Sequence, residues 1–200
     1  MKKHIVFAAV CLVLTQFSAA LLAGEEAKMK DALSVIHSRK SVRNFTGQMV
    51  KKTDLETIVK AGMAAPTAVN KQPWAFVVVS DRKKLDALAA GLPYAKMLSK
   101  AGAAIIVCAL PKEAFQESVE FAVIDASLAS ENILLATEAL GLGAVWTAAY
   151  PDKERILHVR RTLNIPENVI PLNVIPLGYP TGEDKAKDKY KKDKIHWEKW

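Results

Sequence analysis

Three cations and two hydroxyls fall within six residues in the stretch Ser38-Arg39-Lys40-Ser41-Val42-Arg43-Asn44-Phe45. Arginine offers a planar fork of donors, lysine a compact point charge, and serine a further donor. A phosphate dianion suits such a set, because charge-assisted and forked hydrogen bonds match its oxygens. A solvated basic turn uses the same residues, and the stretch alone does not separate the two readings. A second constellation follows in Pro66-Thr67-Ala68-Val69-Asn70-Lys71-Gln72-Pro73-Trp74. Two prolines fix this loop, and it carries a hydroxyl, two carboxamides and an indole. Carboxamides donate and accept, so they can read the mixed edge of a heterocycle, or they can cap their own loop backbone.

Other chemistries lose their carriers. Gly141-Leu-Gly143 follows a helical pattern rather than opening one, and it lacks a third glycine, so it is not a dinucleotide fingerprint. The chain has no triphosphate loop, no His-Glu-x-x-His, no paired-cysteine zinc site and no Gly-x-Ser-x-Gly elbow. Cys108 lies inside the apolar run Ala103–Leu110, which raises a thiol pKa and favours an inert buried thiol over a nucleophile.

The elements that must position these groups read as alternating helices and strands. Met29, Leu33 and Ile36 share a face of a helix over Lys28–His37 that delivers the chain to the basic stretch. A second helix opens at Thr53 or Asp54 and ends at Pro66. Ala75–Val79 and Ala103–Leu110 read as buried strands, with a helix from Asp81 to Ala90 and a helical turn or two over Pro93–Ala101 between them. Lys112–Leu140 carries the longest helical periodicity, rich in small residues that permit close packing. Ala144–Ala148 is a short third strand, and Asp152–Leu163 an amphipathic helix. Val169–Leu177 is strand-like but holds Pro171 and Pro176, so it is expected at a sheet edge or paired only in its middle.

The 200 residues suffice for one domain with a sizeable core. Residues 1–23 are set apart from it: a basic start, an apolar run over Ile5–Leu14, then small residues, the pattern of a secretory signal cleaved after Ala20 or Ala23. Periplasmic or secreted location is expected, with an uncleaved membrane anchor as the alternative. The net charge is +7, or +5 without Lys2 and Lys3. Neither this modest excess nor any motif points to nucleic acid. The tail from about residue 181 mixes lysines with acids and ends in Ile195, Trp197 and Trp200, residues expected to cover an apolar surface of this chain or of a second subunit.

Four segments taken in order resemble the FMN-dependent nitroreductase family: Arg39-Lys-Ser-Val-Arg43; Pro66–Trp74 running into a strand; Glu131-Asn132 through Gly143-Ala-Val-Trp146; and Pro176-Leu-Gly-Tyr-Pro180 with the tail to Trp200. The resemblance spans almost all of residues 24–200. It implies an α+β nitroreductase-like fold, a central mixed β-sheet flanked by helices, in an intertwined homodimer with the tail reaching across. It implies FMN, with Arg39 and Ser41 at the phosphate, Lys40 close by and Arg43 nearer the ring. Pro66, Thr67, Ala68 and Asn70 would contact the ring from the partner subunit, Trp146, Thr147 and Ala148 would line it, and Lys187 and Lys189 would assist at the phosphate. Ala148 stands where many relatives have glycine, and Lys189 where arginine is commoner. The implied activity is ping-pong reduction of nitroaromatic, quinone or similar acceptors by NAD(P)H, with no catalytic side chain and no metal. Reductive dehalogenation, flavin breakdown, or FMN binding without turnover are the alternatives.

Overall fold

Strand β2 (Ala103–Ala109) is buried along its whole length, and its two faces feed separate cores. The computed structural model describes residues 31–200; the expected signal segment lies outside the described residues. Along β2 the side chains alternate with the strand's period of two. Ala103, Ile105, Val107 and Ala109 pack with Ile58 of α2 (Lys52–Met63) and Ile133 of α4 (Val119–Ala139). Ala104, Ile106 and Cys108 pack instead with Leu85 and Leu88 of α3 (Arg82–Gly91) and Val159 of α5 (Lys153–Leu163). Helices therefore cover both faces of one sheet. The remaining helix, α1 (Ala32–Ser38), is capped by Asp31, whose carboxylate accepts from Ser34 N–H and leads the chain into the basic stretch.

The sheet runs β1 (Trp74–Val79), β2, β5 (Ile170–Gly178), β3 (Gly143–Ala144), with β4 (Thr147–Ala148) also on β5. All these strands pair antiparallel. The parallel component of the mixed sheet is a single bridge, Ser41 to Ala144. This bridge draws the basic stretch onto the sheet.

β5 is central rather than at the edge, which corrects the expectation drawn from its prolines. Pro176 accepts a hydrogen bond from Val145 N–H, so its backbone polar edge faces the β3–β4 side. Its missing N–H then falls where that neighbour is interrupted between Ala144 and Thr147. Pro171 sits where the β2–β5 register shifts at Val107/Cys108. A bulge and a gap thus absorb both missing donors.

The longest helix is shorter than its periodicity suggests. Pro111–Glu113 and Phe115–Glu117 are single 3-10 turns, Gln116 is left-handed at φ 57°, and Ser118 caps α4 by accepting from Phe121 N–H. Ala122, Ala126 and Ala129 of α4 are fully buried, and such small side chains let the helix lie close to the sheet. Among the described residues, no helix is long and apolar enough to cross a membrane.

Candidate functional site

The basic stretch is held on α4. Arg39 Nε lies 3.3 Å from Glu131 Oε1, and Lys40 Nζ lies 3.6 Å from Glu138 Oε2. Glu131 and Glu138 are seven residues apart, so they share a face of the helix. Glu138 is buried, and its Oε1 accepts the Ser38 hydroxyl at 2.9 Å. Val42 follows on the sheet, donating to Ala144 O at 2.9 Å with its side chain buried. Ser41 and Arg43 flank it and are exposed, as alternation about a buried valine requires.

Opposite the cluster runs the start of the tail. Phe45 bridges Pro180, Thr46 N–H donates to Tyr179 O, and Thr181 N–H donates to Asn44 O. A cavity of about 450 Å³ lies between the two segments, lined by Arg39, Lys40, Ser41 and Arg43 on one side. On the other side, Lys187 and Lys189 line it together with Glu183 and Asp184. The structure thus brings the five phosphate-side residues that the resemblance implies to one cavity, together with Arg43, which was expected nearer the ring. Of these six, four beyond Arg39 and Ser41 are lysine or arginine, a donor set matched to an anion.

A second cavity, of about 430 Å³, is lined by Trp146, Thr147 and Ala148 and by Arg43. Arg43 therefore belongs to both cavities. Within the second, the Thr147 hydroxyl donates to Val174 O at 2.6 Å and is engaged with the sheet. Tyr94, Lys96 and Arg155 also line this cavity, and none was expected from the sequence. The Arg155 guanidinium lies 5.1 Å from the centre of the Tyr94 ring, a cation–π contact between segments some sixty residues apart. No local pattern announces it.

The loop of Pro66, Thr67, Ala68 and Asn70 lines neither cavity in this chain. Its Ala68 N–H donates to both oxygens of the buried Asp125, at 3.1 and 3.3 Å. Asp125 and Glu138 are separated by roughly 20 Å along α4, at 1.5 Å per residue. The loop is also strained: Val69, Asn70 and Gln72 all have positive φ, and for a β-branched residue such as Val69 this costs about 1–2 kcal/mol. Thr67 Oγ1 accepts from Gln72 N–H, so a hydroxyl caps the loop backbone, while the two carboxamides pair with each other, Gln72 Nε2 donating to Asn70 Oδ1. Strain held by a buried carboxylate is characteristic of sites that present a backbone to a ligand.

Cys108 is buried, and burial pushes its thiol from 9.0 up to about 12, in keeping with an inert role. Among the described residues no group of histidine, cysteine and carboxylate side chains is placed to hold a metal ion.

The profile of the nitroreductase family matches residues 36–97 and 89–179, which include the basic stretch, the strained loop and the Trp146–Ala148 wall of the second cavity. The chain belongs to the nitroreductase family. Among sequence relatives of this family member, a protein of Archaeoglobus fulgidus with the provisional name NADH dehydrogenase/NAD(P)H nitroreductase is 43% identical over 86% of the chain and 100% of the relative. A crystal structure of a similarly named protein from Bacteroides thetaiotaomicron is 48% identical and superposes with a TM-score of 0.80, covering 86% of this chain and 99% of that one. An FMN-dependent nitroreductase from Clostridium difficile is 26% identical, with a TM-score of 0.75 over 84% and 99% of the two chains. The nitroreductase α+β fold is common to this chain and the two solved structures, and the named relatives are oxidoreductases.

Proposed function

We propose that this protein is an FMN-dependent oxidoreductase that takes electrons from NADH or NADPH and passes them to a nitroaromatic, quinone or similar acceptor. The observation that carries the reading is the pair of cavities joined through Arg43, one lined by cations and the other by Trp146–Ala148. The donor set fits the group: a phosphate dianion removed from water needs several donors to offset its desolvation, and Arg39, Lys40, Ser41, Lys187 and Lys189 converge on one cavity. The name of the C. difficile relative supports FMN as the cofactor.

When bound, FMN would supply the electron-transfer chemistry that no side chain of this protein carries. Arg39 and Ser41 would hold its phosphate, with Lys187 and Lys189 closing the opposite wall. Arg43, present in both cavities, would link the phosphate end to the ring end. The second cavity would take the ring against Trp146 and the backbone of Thr147 and Ala148.

A second copy of the chain completes this reading. The loop at Pro66–Asn70 is anchored too far along α4 to reach its own chain's cluster, and α4 leaves Ile124 and Leu128 exposed on a face suited to a partner. The terminal Trp197 and Trp200 are exposed as well, fitting a tail that crosses to that partner. Since Thr181 and Asp184 are tied to the basic stretch of their own chain, the crossing segment would begin beyond Lys189.

The leader-like start supports export to the periplasm or beyond, which N-terminal sequencing of the protein recovered from cells would test. It also favours a second reading, an exported FMN-binding protein without turnover, since nicotinamide donors are cytoplasmic. The deciding experiment is the visible spectrum of the purified protein before and after anaerobic addition of NADH or NADPH. Flavin bands that bleach support the oxidoreductase. Bands that no donor bleaches select the second reading, and a preparation that refuses added FMN rejects both.

A further inference from the structure

One oxygen of Asp184 accepts three hydrogen bonds at the edge of the cation-lined cavity: from Arg43 N–H at 3.0 Å, Asn44 N–H at 3.1 Å and Asn44 Nδ2 at 3.4 Å. A carboxylate in a cavity meant for an anion is at first sight misplaced, because its charge opposes the ligand's. The geometry gives it a different task. Its oxygen Oδ2 is turned onto the backbone of the basic stretch, at the point where that chain leaves the sheet. The neighbouring backbone pairs, Thr46 to Tyr179 and Thr181 to Asn44, end there. Beyond Thr181 the tail has no strand partner, and Gly182 adopts a positive φ of 94° that turns it back toward the cluster. Asp184 is the next attachment, and Lys187 and Lys189 lie three and five residues past it.

We propose that Asp184 is a clasp that positions Lys187 and Lys189 over the phosphate cavity, and that affinity for the phosphorylated cofactor depends on it. The inference rests on the FMN reading above. Hydrogen bonds to an ionised acceptor are roughly twice as strong as neutral ones, and two backbone donors on one oxygen fix the direction of approach. Without the clasp the segment 182–190 is a run of exposed, mixed-charge residues with no apolar anchor, free to leave the cavity. The two roles available to Asp184 therefore predict opposite signs. A carboxylate that merely opposes the anion raises FMN affinity when removed; a clasp lowers it.

The test uses the full-length protein and four variants: Asp184→Ala, Asp184→Asn, Lys187→Ala/Lys189→Ala, and the three alanine changes combined. Equilibrium dialysis gives the Kd for FMN and, separately, for riboflavin, which lacks the phosphate. Asp184→Ala is expected to weaken FMN about tenfold while leaving riboflavin within twofold. Asp184→Asn, which keeps an acceptor oxygen, is expected to restore most of the loss. Asp184→Ala should add little once both lysines are gone. Tighter FMN binding, or equal weakening of both flavins, overturns the proposal. Tryptic cleavage after Lys185 and its neighbours reads the clasp without any flavin: Asp184→Ala should be cut faster than wild type and than Asp184→Asn, and equal rates overturn it. Wild-type protein that binds FMN no better than riboflavin defeats the phosphate assignment itself, an outcome recognisable before any variant is compared.

Discussion

Glu138 Oε2 stands 3.6 Å from Lys40 Nζ, and the two are brought together across 98 positions of sequence by the helix that carries the first and the stretch that carries the second. The carboxylate is buried, whereas Lys40 keeps about a quarter of its side chain exposed. Removing the partner of a fully buried charge costs about 3–5 kcal/mol; here water reaches the lysine, so the loss lies below that range. Glu138→Ala is expected to lower stability by about 2 kcal/mol in urea denaturation, and Glu138→Gln by less, since an amide oxygen still accepts from Ser38. Glu131, half exposed in its pair with Arg39, is the contrast: Glu131→Ala should cost under about 1 kcal/mol. Equal losses for the two glutamates would contradict this account.

Gly143 and Val42 make a second close approach behind the cluster. A Cβ added at Gly143 would lie 2.6 Å from Cβ and both methyls of Val42. Val42 is tied to Ala144 O by its N–H, so neither backbone can retreat. Gly143→Ala is expected to cost about 2–3 kcal/mol, the range for overpacking, and to reduce the flavin recovered with the protein. Gly141, two residues earlier, has φ 71° and open space around its missing Cβ. Gly141→Ala should cost only the left-handed strain, about 1 kcal/mol, with flavin content unchanged. Melting curves and bound-flavin absorbance on the two variants separate these cases.

The sequence made both strands legible because Phe76–Val79 and Ile105–Val107 are β-branched or aromatic runs between turn residues. Only β2 is buried throughout; β1 lies at the sheet edge, half-buried and with Val78 exposed, because the same apolar run does not say how many neighbours a strand has. It misplaced β5, because proline chemistry says that a donor is missing and not which edge misses it. It overran α4, because Phe115 and Val119 keep the helical period through a segment where Gln116 and Glu117 turn left-handed. At the site, Arg39 to Arg43 and Lys187 with Lys189 were readable through the family resemblance, and they do line one cavity. Asp184, Glu138, Tyr94 and Arg155 were not, because each acts through a contact with a distant segment. A lone carboxylate or tyrosine carries no periodic signal of that contact.

Cys108 gives a pH-dependent prediction. Burial raises its thiol from 9.0 to about 12, so the folded state holds the proton more tightly than the unfolded one. The resulting stability is complete below about pH 9 and is lost as pH rises toward 12. The unfolding free energy from urea titrations should therefore drop more between pH 8 and pH 10.5 for wild type than for Cys108→Ala, by about 2 kcal/mol. The same burial predicts that iodoacetamide at pH 8 leaves the native thiol unlabelled and modifies it in urea. Ready labelling of the native protein would refute the buried assignment.

Arg39 and Lys192 offer the sharpest contrast for the phosphate site, since both are cations and they differ in where they point. Arg39 is largely buried, lines the cation-lined cavity and is oriented by Glu131, while Lys192 sits in the exposed 3-10 turn Lys192–Lys194 of the tail. A charged hydrogen bond removed from a bound anion costs about 1.5–3 kcal/mol, which is roughly 10- to 100-fold in Kd. Arg39→Ala is expected to raise the Kd for FMN by that factor, and Lys192→Ala to leave it within about twofold. Arg39→Lys should fall between, because a point charge replaces a planar fork. Dialysis against FMN-free buffer, followed by the absorbance left on each variant, reads the difference directly. If Arg39→Ala and Lys192→Ala retain flavin equally, the phosphate does not lie at Arg39, and its pairing with Glu131 is structural only.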